Sequence, residues 1–294
     1  MPILVHLRCR TSGIALVLVL WVLVMLTVMA ASFSLNMRRE IDLVRNTRER
    51  SVAGPLAEAG IYYAMNRLLL TEVQNQWRSD GSVYEFLFGG ARVRVSIHDE
   101  AGKFDLNNAP GALLISLLEN AGLSNDEAAA LVDAIIDWRD SDDFRGVNGA
   151  EQGEYQEAGL DYGPRNRPFQ TIQELRRVLG ISGDLYRRLE PMVTVYNDSN
   201  GIDPSKSPKE VLRALPGVME EIIENYLEER TANATNNLPP PPFPVPVQNL
   251  VFSQASGTTF SVHSEALFPD GRRAVISAVI KKASTTRTPF VFLE

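Results

Sequence analysis

The chain has 294 residues, with 29 lysines and arginines against 36 aspartates and glutamates and a formal net charge of −7. That balance argues against a general nucleic-acid binder, and a single cysteine, Cys9, excludes a disulfide framework. The length calls for two domains, or one domain with a large insertion.

Gly13 to Phe33 is an uncharged apolar run, flanked by Arg8 and Arg10 before it and by Arg38, Arg39 and Glu40 after it. As a helix it is long enough to cross a bilayer. A secretory signal peptide is the plain alternative, but the run is long for such a segment, and Ser32 to Asn36 makes a poor small-x-small exit. The other reading is a short basic leader, Met1 to Gly13, cut between Gly13 and Ile14, so that the apolar run stays on the mature protein. The junction Thr11-Ser12-Gly13-Ile14-Ala15-Leu16 resembles the prepilin-peptidase sites of type IV pilins and pseudopilins.

Beyond the membrane run, Ile41, Val44, Val52, Leu56, Ala59 and Tyr63 recur at helical spacing, with Arg45, Arg48, Glu49 and Arg50 between them. The spacing predicts one long amphipathic helix from about Ile14 to about Leu70. Gly54-Pro55 predicts a kink or break in it, because proline removes a helical hydrogen bond. Gly81 to Gly90 carries turn signals. Ala91 to His98 alternates, with Val93, Val95 and Ile97 on one face, as a half-buried strand does.

From Asp99 to about Tyr196 the pattern is helical and rich in capping signals. Asn108 and Pro110 open a helix with Leu113, Leu114, Leu117 and Leu118 on its apolar face. Ser124 to Glu127, Thr171 to Glu174 and Ser207 to Glu210 read as capping boxes. Phe104 to Pro110 resembles Ile202 to Pro208, and each is followed by a leucine-rich helix. Three apolar-Gly-apolar turns, around Gly122, Gly180 and Gly217, look like helix-hairpin-helix units. Such turns can offer backbone N–H groups to a phosphate. The heavily acidic stretch from Asp99 to Asp161 would repel a polyanion, so the expectation is no nucleic acid and a purely structural glycine. Asn233 to Val247 is a proline-rich linker. Leu250–Ser253, Thr259–Ser264, Arg273–Ile280 and Phe290–Leu293 then read as an antiparallel meander, with a hairpin turn at Pro269-Asp270-Gly271. The strand before Asp99 needs these as partners, so the helical region is expected to be inserted into a small α+β domain.

Candidate chemistry concentrates in one acidic loop. Asp137, Asp140, Asp142, Asn148, Glu151 and Glu154 crowd together, and carboxylates packed this closely repel unless a cation sits among them. Hard oxygen donors suit Ca²⁺ as a structural ion. Asp140, Asp142 and Glu151 fall at EF-hand positions one, three and twelve, but Phe144 and Arg145 stand where a ligand and the obligatory glycine belong, so the loop is not an EF-hand. A solvated acidic loop held by Arg139 and Arg145 ion pairs is the alternative. Enzyme signatures are missing. The three histidines are His6 in the leader and His98 and His263 in strands, and no nucleophile elbow, Walker loop or dinucleotide-binding turn occurs. No catalytic role is expected. A membrane-anchored DNA-binding protein for DNA uptake and an anchored periplasmic enzyme remain as competing readings.

The leader glycine, the apolar stem, Asp105-Leu-Asn-Asn-Ala-Pro110, Asp137-Trp-Arg-Asp-Ser-Asp-Asp143, Asn148-Gly-Ala-Glu151 and Pro168-Phe-Gln-Thr-Ile-Gln-Glu-Leu175 together resemble the type II secretion system protein K family, the large minor pseudopilins. The resemblance implies a pilin-like α+β fold, in which a long N-terminal helix packs on a small antiparallel sheet interrupted by a large all-α insertion. It implies leader cleavage and N-methylation by prepilin peptidase, inner-membrane insertion with the bulk of the chain in the periplasm, and calcium in the insertion. It also implies a complex with minor pseudopilins I and J at the pseudopilus tip. On this reading the chain divides into a leader (1–13), a transmembrane part (14–33) and a soluble part (34–80) of the first helix, and a first sheet segment (81–98). The helical insertion (99–232), the linker (233–247) and a second sheet segment (248–294) follow. Were Ile14 the mature N-terminus, Leu18 would be the fifth residue, where most pilins are expected to carry a glutamate that neutralises a neighbour's amine. A subunit with no neighbour above it has no need of that carboxylate.

Overall fold

The computed structural model describes residues 12–70, 72, 75–247, 257–283 and 289–294, apart from the side chains of 12–15, 36 and 38–51. The leader residues 1–11, the expected strand Leu250–Ser253 and the packing of Ile41 and Val44 lie outside the described residues.

Helix α1 runs from Ser12 to Leu69, 58 residues, or roughly 87 Å of helix. It passes through Pro55 without ending, where the sequence predicted a kink or a break. Pro55 is exposed, so the carbonyl left without its N–H partner one turn earlier lies on the solvent side. The buried face of α1 also differs from the predicted one. It is Ala53, Ala57, Gly60, Ile61, Ala64 and Leu68, one residue round from the Val52, Leu56, Ala59, Tyr63 stripe, and Val52 is exposed. Close approach decides this. A Cβ on Gly60 would overlap Ser264 Oγ and stand 3.0 and 3.1 Å from Val93 and Val95, so the smallest residues face the sheet while larger ones flank the contact.

That sheet has five antiparallel strands: β1 (Asp80–Phe88), β2 (Ala91–Asp99), then β5 (Thr259–Leu267), β6 (Arg273–Lys282) and β7 (Phe290–Phe292), in the order β1-β2-β5-β6-β7. β1 falls in the expected first sheet segment (81–98), although Gly81–Gly90 showed only turn signals and no strand alternation. The turn is confined to Gly89-Gly90, both with positive φ, and Gly81 sits at an irregularity where the register shifts between Asp80 and Val83. Its exposed apolar side chains, Val83 and Leu87, hide the alternation of a half-buried strand. The β5–β6 hairpin turns at the predicted Pro269-Asp270-Gly271.

β2 and β5 lie side by side, Asp99 opposite Phe260, and residues 100–247 between them fold into a second, helical body. A short parallel pair, β3 (Phe104–Asp105) and β4 (Val193–Thr194), threads its centre. Around it stand α2 (Gly111–Asn120), α3 (Asn125–Arg139), α4 (Gln152–Glu157), a 3₁₀ turn over Ile172–Arg177, α5 (Gly183–Leu189), α6 (Lys209–Arg213) and α7 (Glu220–Thr235). Their core includes Phe104, Leu113, Leu114, Leu117, Leu118, Trp138, Tyr155, Leu175, Leu189 and Leu212. It is a separate cluster from the Ala57, Ile61, Val93, Val95, Val262 and Ile280 core beneath α1. α7 reaches into the expected linker, and Phe243 beyond it packs edge-on to Tyr226 at 4.9 Å. The proline stretch is therefore strapped to the helical body.

The caps are only partly those predicted. Ser124 and Glu127 form the expected box at the start of α3. Thr171 makes no capping bond, and Glu174 instead accepts from Gln170 N and pairs with Arg165. Neither Asn108 nor Ser207 caps a helix; the N-caps of α2 and α6 are Pro110 and Pro208, without side-chain bonds. The work falls to the aspartate that opens each repeat. Asp105 Oδ1 accepts from Asn107 N at 2.7 Å, and Asp203 Oδ1 from Ser205 N at 2.9 Å, the local turn that short acidic side chains favour.

Candidate functional site: the anchor helix and the acidic loop

The apolar stretch of α1 lies in the first half of the helix. Leu16–Leu35 has a mean hydropathy of 2.7, and no part of it is buried against the rest of the protein. Among the described residues it is the one helix long and apolar enough to cross a membrane. Leu18 lies within it, 60% exposed. Gly13 and Ile14 stand in the first turn of α1.

The acidic loop connects α3 to α4. Asp137 is buried in the last turn of α3, and both its carboxylate oxygens accept from Gly146 N, at 3.0 and 3.1 Å. The loop presses so closely on Asp137 that a Cβ on Gly149 would overlap its carboxylate; only glycine fits there. Asp142 Oδ1 accepts from Phe144 N at 2.9 Å, tightening the loop's first turn. α4 is pinned from the far side, where buried Tyr155 accepts a bond from Leu179 N at 3.0 Å.

The electrostatics show which predicted residues meet. Burial, and then Asp137, Asp140, Asp143 and Asp142, push the Glu151 carboxyl up to about 7. Burial, Asp142 and Asp137 raise Asp140. Burial raises Asp137 against the N–H groups of Gly146 and Ala150, with Asp133 and Asp142 adding to the rise. Asp140 Oδ1 and Glu151 Oε1 are buried and accept no hydrogen bond from the protein. Asp137, Asp140, Asp142 and Glu151 thus share one field.

Glu154 and Asn148 stand apart from that group. Glu154 is engaged by Arg145 at 2.6 Å and by Glu151 N at 2.9 Å, and these bonds lower its pKa. Asn148 exposes its side chain and uses its N–H on Asp133 at 3.0 Å. Arg139 points away, to the Leu106 and Ala109 carbonyls. Two participants were missed in the sequence. Asp133 is one helical turn before Asp137, a spacing that could have revealed it. Asp143 closes the acidic run directly after Asp142 and is held by Asn166 at 2.7 Å across a long loop. Among the described residues no three acidic, histidine or cysteine side chains already stand in a metal-holding arrangement. Two unpaired buried carboxylate oxygens and a carboxyl that resists ionisation nevertheless fit a hard cation, since such groups are costly without a partner.

The apolar-Gly-apolar turns have the left-handed backbone that glycine permits, with φ of 97° at Gly122, 91° at Gly180 and 73° at Gly217. Arg188 donates to the Ala121 carbonyl beside the first of them, so that turn is closed off by the protein itself.

Residues 96–198 match the family model "Type II secretion system (T2SS), protein K". Type II secretion system protein K of Pectobacterium carotovorum is 29% identical over 63% of this chain and 63% of its own length. Its counterpart from Pseudomonas aeruginosa is 27% identical over 74% of this chain and 73% of its own. The chain is thus similar to type II secretion system protein K over its middle third by the family model and over about two thirds by the relatives. It spans a little under two thirds of the Pectobacterium relative and 64% of the Klebsiella pneumoniae one. A solved structure from enterotoxigenic Escherichia coli, the GspK-GspI-GspJ complex of the type 2 secretion system, contains a chain with the same fold. The two superimpose with a TM-score of 0.59 at 17% identity, covering 85% of this chain and 97% of that one.

Proposed function

We propose that this chain is a minor pseudopilin of a type II secretion system, a structural subunit that caps the pseudopilus tip and supports protein secretion across the outer membrane. One observation carries the reading. A single helix is bare and apolar over Leu16–Leu35 and then packs, through Ala53 to Leu68, on a sheet whose adjacent strands β2 and β5 are separated in the sequence by a helical body. A subunit of that shape sits in a membrane by one end and in a filament by the other. Similarity to type II secretion system protein K supports it, and the solved structure of the same fold is a complex with subunits named I and J; the partners proposed here are minor pseudopilins I and J. Leu18 suits a capping position, where no neighbour's amine needs neutralising. The proposed location is the inner membrane, with the sheet and helical body in the periplasm.

Processing follows from the same reading, with cleavage by prepilin peptidase between Gly13 and Ile14 and methylation of the new amine. N-terminal sequencing and intact mass of the membrane-extracted protein test it. A mature chain that starts at a methylated Ile14 and copurifies with subunits I and J is the expected result. One that begins beyond Ala31, without the apolar segment, would sink it.

The acidic loop is proposed to hold structural Ca²⁺ through Asp137, Asp140, Asp142 and Glu151, with Asn148 and Glu154 recruited when the ion draws the loop inward. The support is the pair of unpaired buried oxygens on Asp140 and Glu151 and an all-oxygen donor set. Calorimetry of the full chain with millimolar Ca²⁺ tests this, and no heat of binding would reduce the loop to a solvated surface.

A further inference from the structure

Beside the acidic loop lies a feature of opposite sign. A cleft of about 540 Å³ opens between the end of α3 and the Tyr162–Arg177 segment, lined by Trp138, Tyr162, Arg165, Arg167, Glu174 and Arg177 among others. In a helical body dominated by carboxylates, these arginines are conspicuous. Arg165 is paired with Glu174. Arg177 lies over the Tyr162 ring, 6.0 Å from its centroid, and neither it nor Arg167 has a carboxylate within ion-pairing distance among the described residues. Both are exposed.

Two residues lining this cleft each carry a buried polar atom that lacks a partner within the protein, and the two atoms are of opposite kind. Trp138 is 3% exposed and its indole Nε1 donates to nothing; Glu174 Oε2 is buried and accepts nothing. Buried polar groups are normally bonded, so each such atom asks for an explanation. A simple anion would answer the indole and the arginines but would face the Glu174 carboxylate. A segment of peptide answers all of them. An acidic side chain meets the arginines and the indole N–H, a backbone N–H meets Glu174, and Trp138 and Tyr162 supply the apolar and aromatic surface that such pockets use. Arginine is the side chain best suited to carboxylate recognition.

We propose that this cleft is a docking site for an extended segment of another protein that presents an aspartate or glutamate side chain. The site does not depend on the calcium reading or on the tip assignment, since none of its residues is a proposed ligand or part of the anchor.

The test uses the full chain in detergent micelles and immobilised hexapeptide pools, acetylated and amidated, randomised except for one position fixed as Glu, Gln or phosphoserine. The expected result is that the Glu pool captures the chain about tenfold more strongly than the Gln pool, the size of one charge-assisted contact. Arg167→Gln and Arg177→Gln should each remove most of that difference, while Lys209→Gln, on α6, should leave it. Both arginines are exposed, so these variants keep the fold, and Trp138→Phe serves as a further check on the indole. Equal capture by Glu and Gln pools, or capture untouched by both arginine variants, would overturn the proposal. A phosphoserine pool or millimolar inorganic phosphate that outcompetes the Glu pool would also overturn it, leaving a general anion site.

Discussion

Arg139 and Arg230 do the same task in two copies of one motif. Arg139, at the end of α3, donates to the carbonyls of Leu106 and Ala109, the first and fourth residues after Asp105. Arg230, on α7, donates to those of Pro204 and Ser207, the first and fourth after Asp203, at 3.0 and 2.8 Å. Each aspartate turns the chain into a short helix, a positive-φ glycine reverses it, and a longer helix returns to place the arginine on the turn where the motif began.

Arg230 is buried and Arg139 only half so, which ranks the two. Removing a donor strands buried carbonyls at about 1–3 kcal/mol each. Arg230→Met is expected to cost about 3 kcal/mol and Arg139→Met about half of that. Urea unfolding with an unchanged slope and a shifted midpoint checks both; equal effects would mean that burial does not set the cost.

Gly60 is the point where α1 touches the sheet most closely. Alanine would favour the helix by about 1 kcal/mol, but its Cβ would collide with Ser264 Oγ, and overpacking costs about 1–3 kcal/mol. Gly60→Ala is therefore expected to destabilise. Ser264 is fully buried and its hydroxyl makes no bond, so the double variant Gly60→Ala with Ser264→Ala should recover the loss. Thermal melts of the four proteins of this cycle decide it.

The proposed calcium site should matter most above neutral pH. In the ion-free protein the Glu151 carboxyl stays protonated up to about 7, against an ordinary value of 4.5. The folded state then holds a proton that the unfolded state has lost, so this group's contribution to stability declines as pH rises from about 4.5 to 7. A bound cation displaces that proton. Unfolding free energies measured with Ca²⁺ and with chelator should diverge from pH 5 to pH 8, by up to about 2.7 kcal/mol at a hundredfold excess over Kd. Asp142→Ala and Glu151→Ala should close the gap, and Glu119→Ala should not.

His98 works in the opposite direction. Burial first, then Lys103 and His263, hold its pKa down to about 4 from 6.5, with Glu100 and Asp80 opposing. The folded state binds fewer protons than the unfolded one between these values, so the stabilisation is complete above about 6.5 and is lost as pH falls toward 4. His98→Gln should flatten the acid limb of a stability profile measured in chelator from pH 4 to 7, and an unchanged limb would place the acid sensitivity elsewhere.

The long helix, the strand Ala91–His98 and the β5–β6 hairpin were legible because each rests on one repeating local pattern. Leu113, Leu117, Leu131 and Ile135 are inward for the same reason. β1 was not legible, since Val83 and Leu87 are apolar yet exposed, and no periodicity distinguishes an apolar outer face from an inner one. The register of α1 was missed because hydrophobicity points to Val52 and Leu56, whereas close packing against a sheet selects the smallest side chains. In the acidic loop the crowding of Asp137, Asp140, Asp142 and Glu151 was readable from spacing alone. The diversion of Glu154 to Arg145 and the arrival of Asp143 depend on contacts between separate loops.

The pairing of Asp99 with Phe260 also has a temporal side. A chain made from its N-terminus exposes β1, β2 and the small-residue face of α1 long before β5 exists to complete the sheet. Throughout that interval β2 offers an unpaired edge. The helical body rests mainly on contacts that arise among its own residues and can be finished first, leaving closure of the sheet as the late, slow step. During that wait the nascent β2 edge stays open to pairing with another chain.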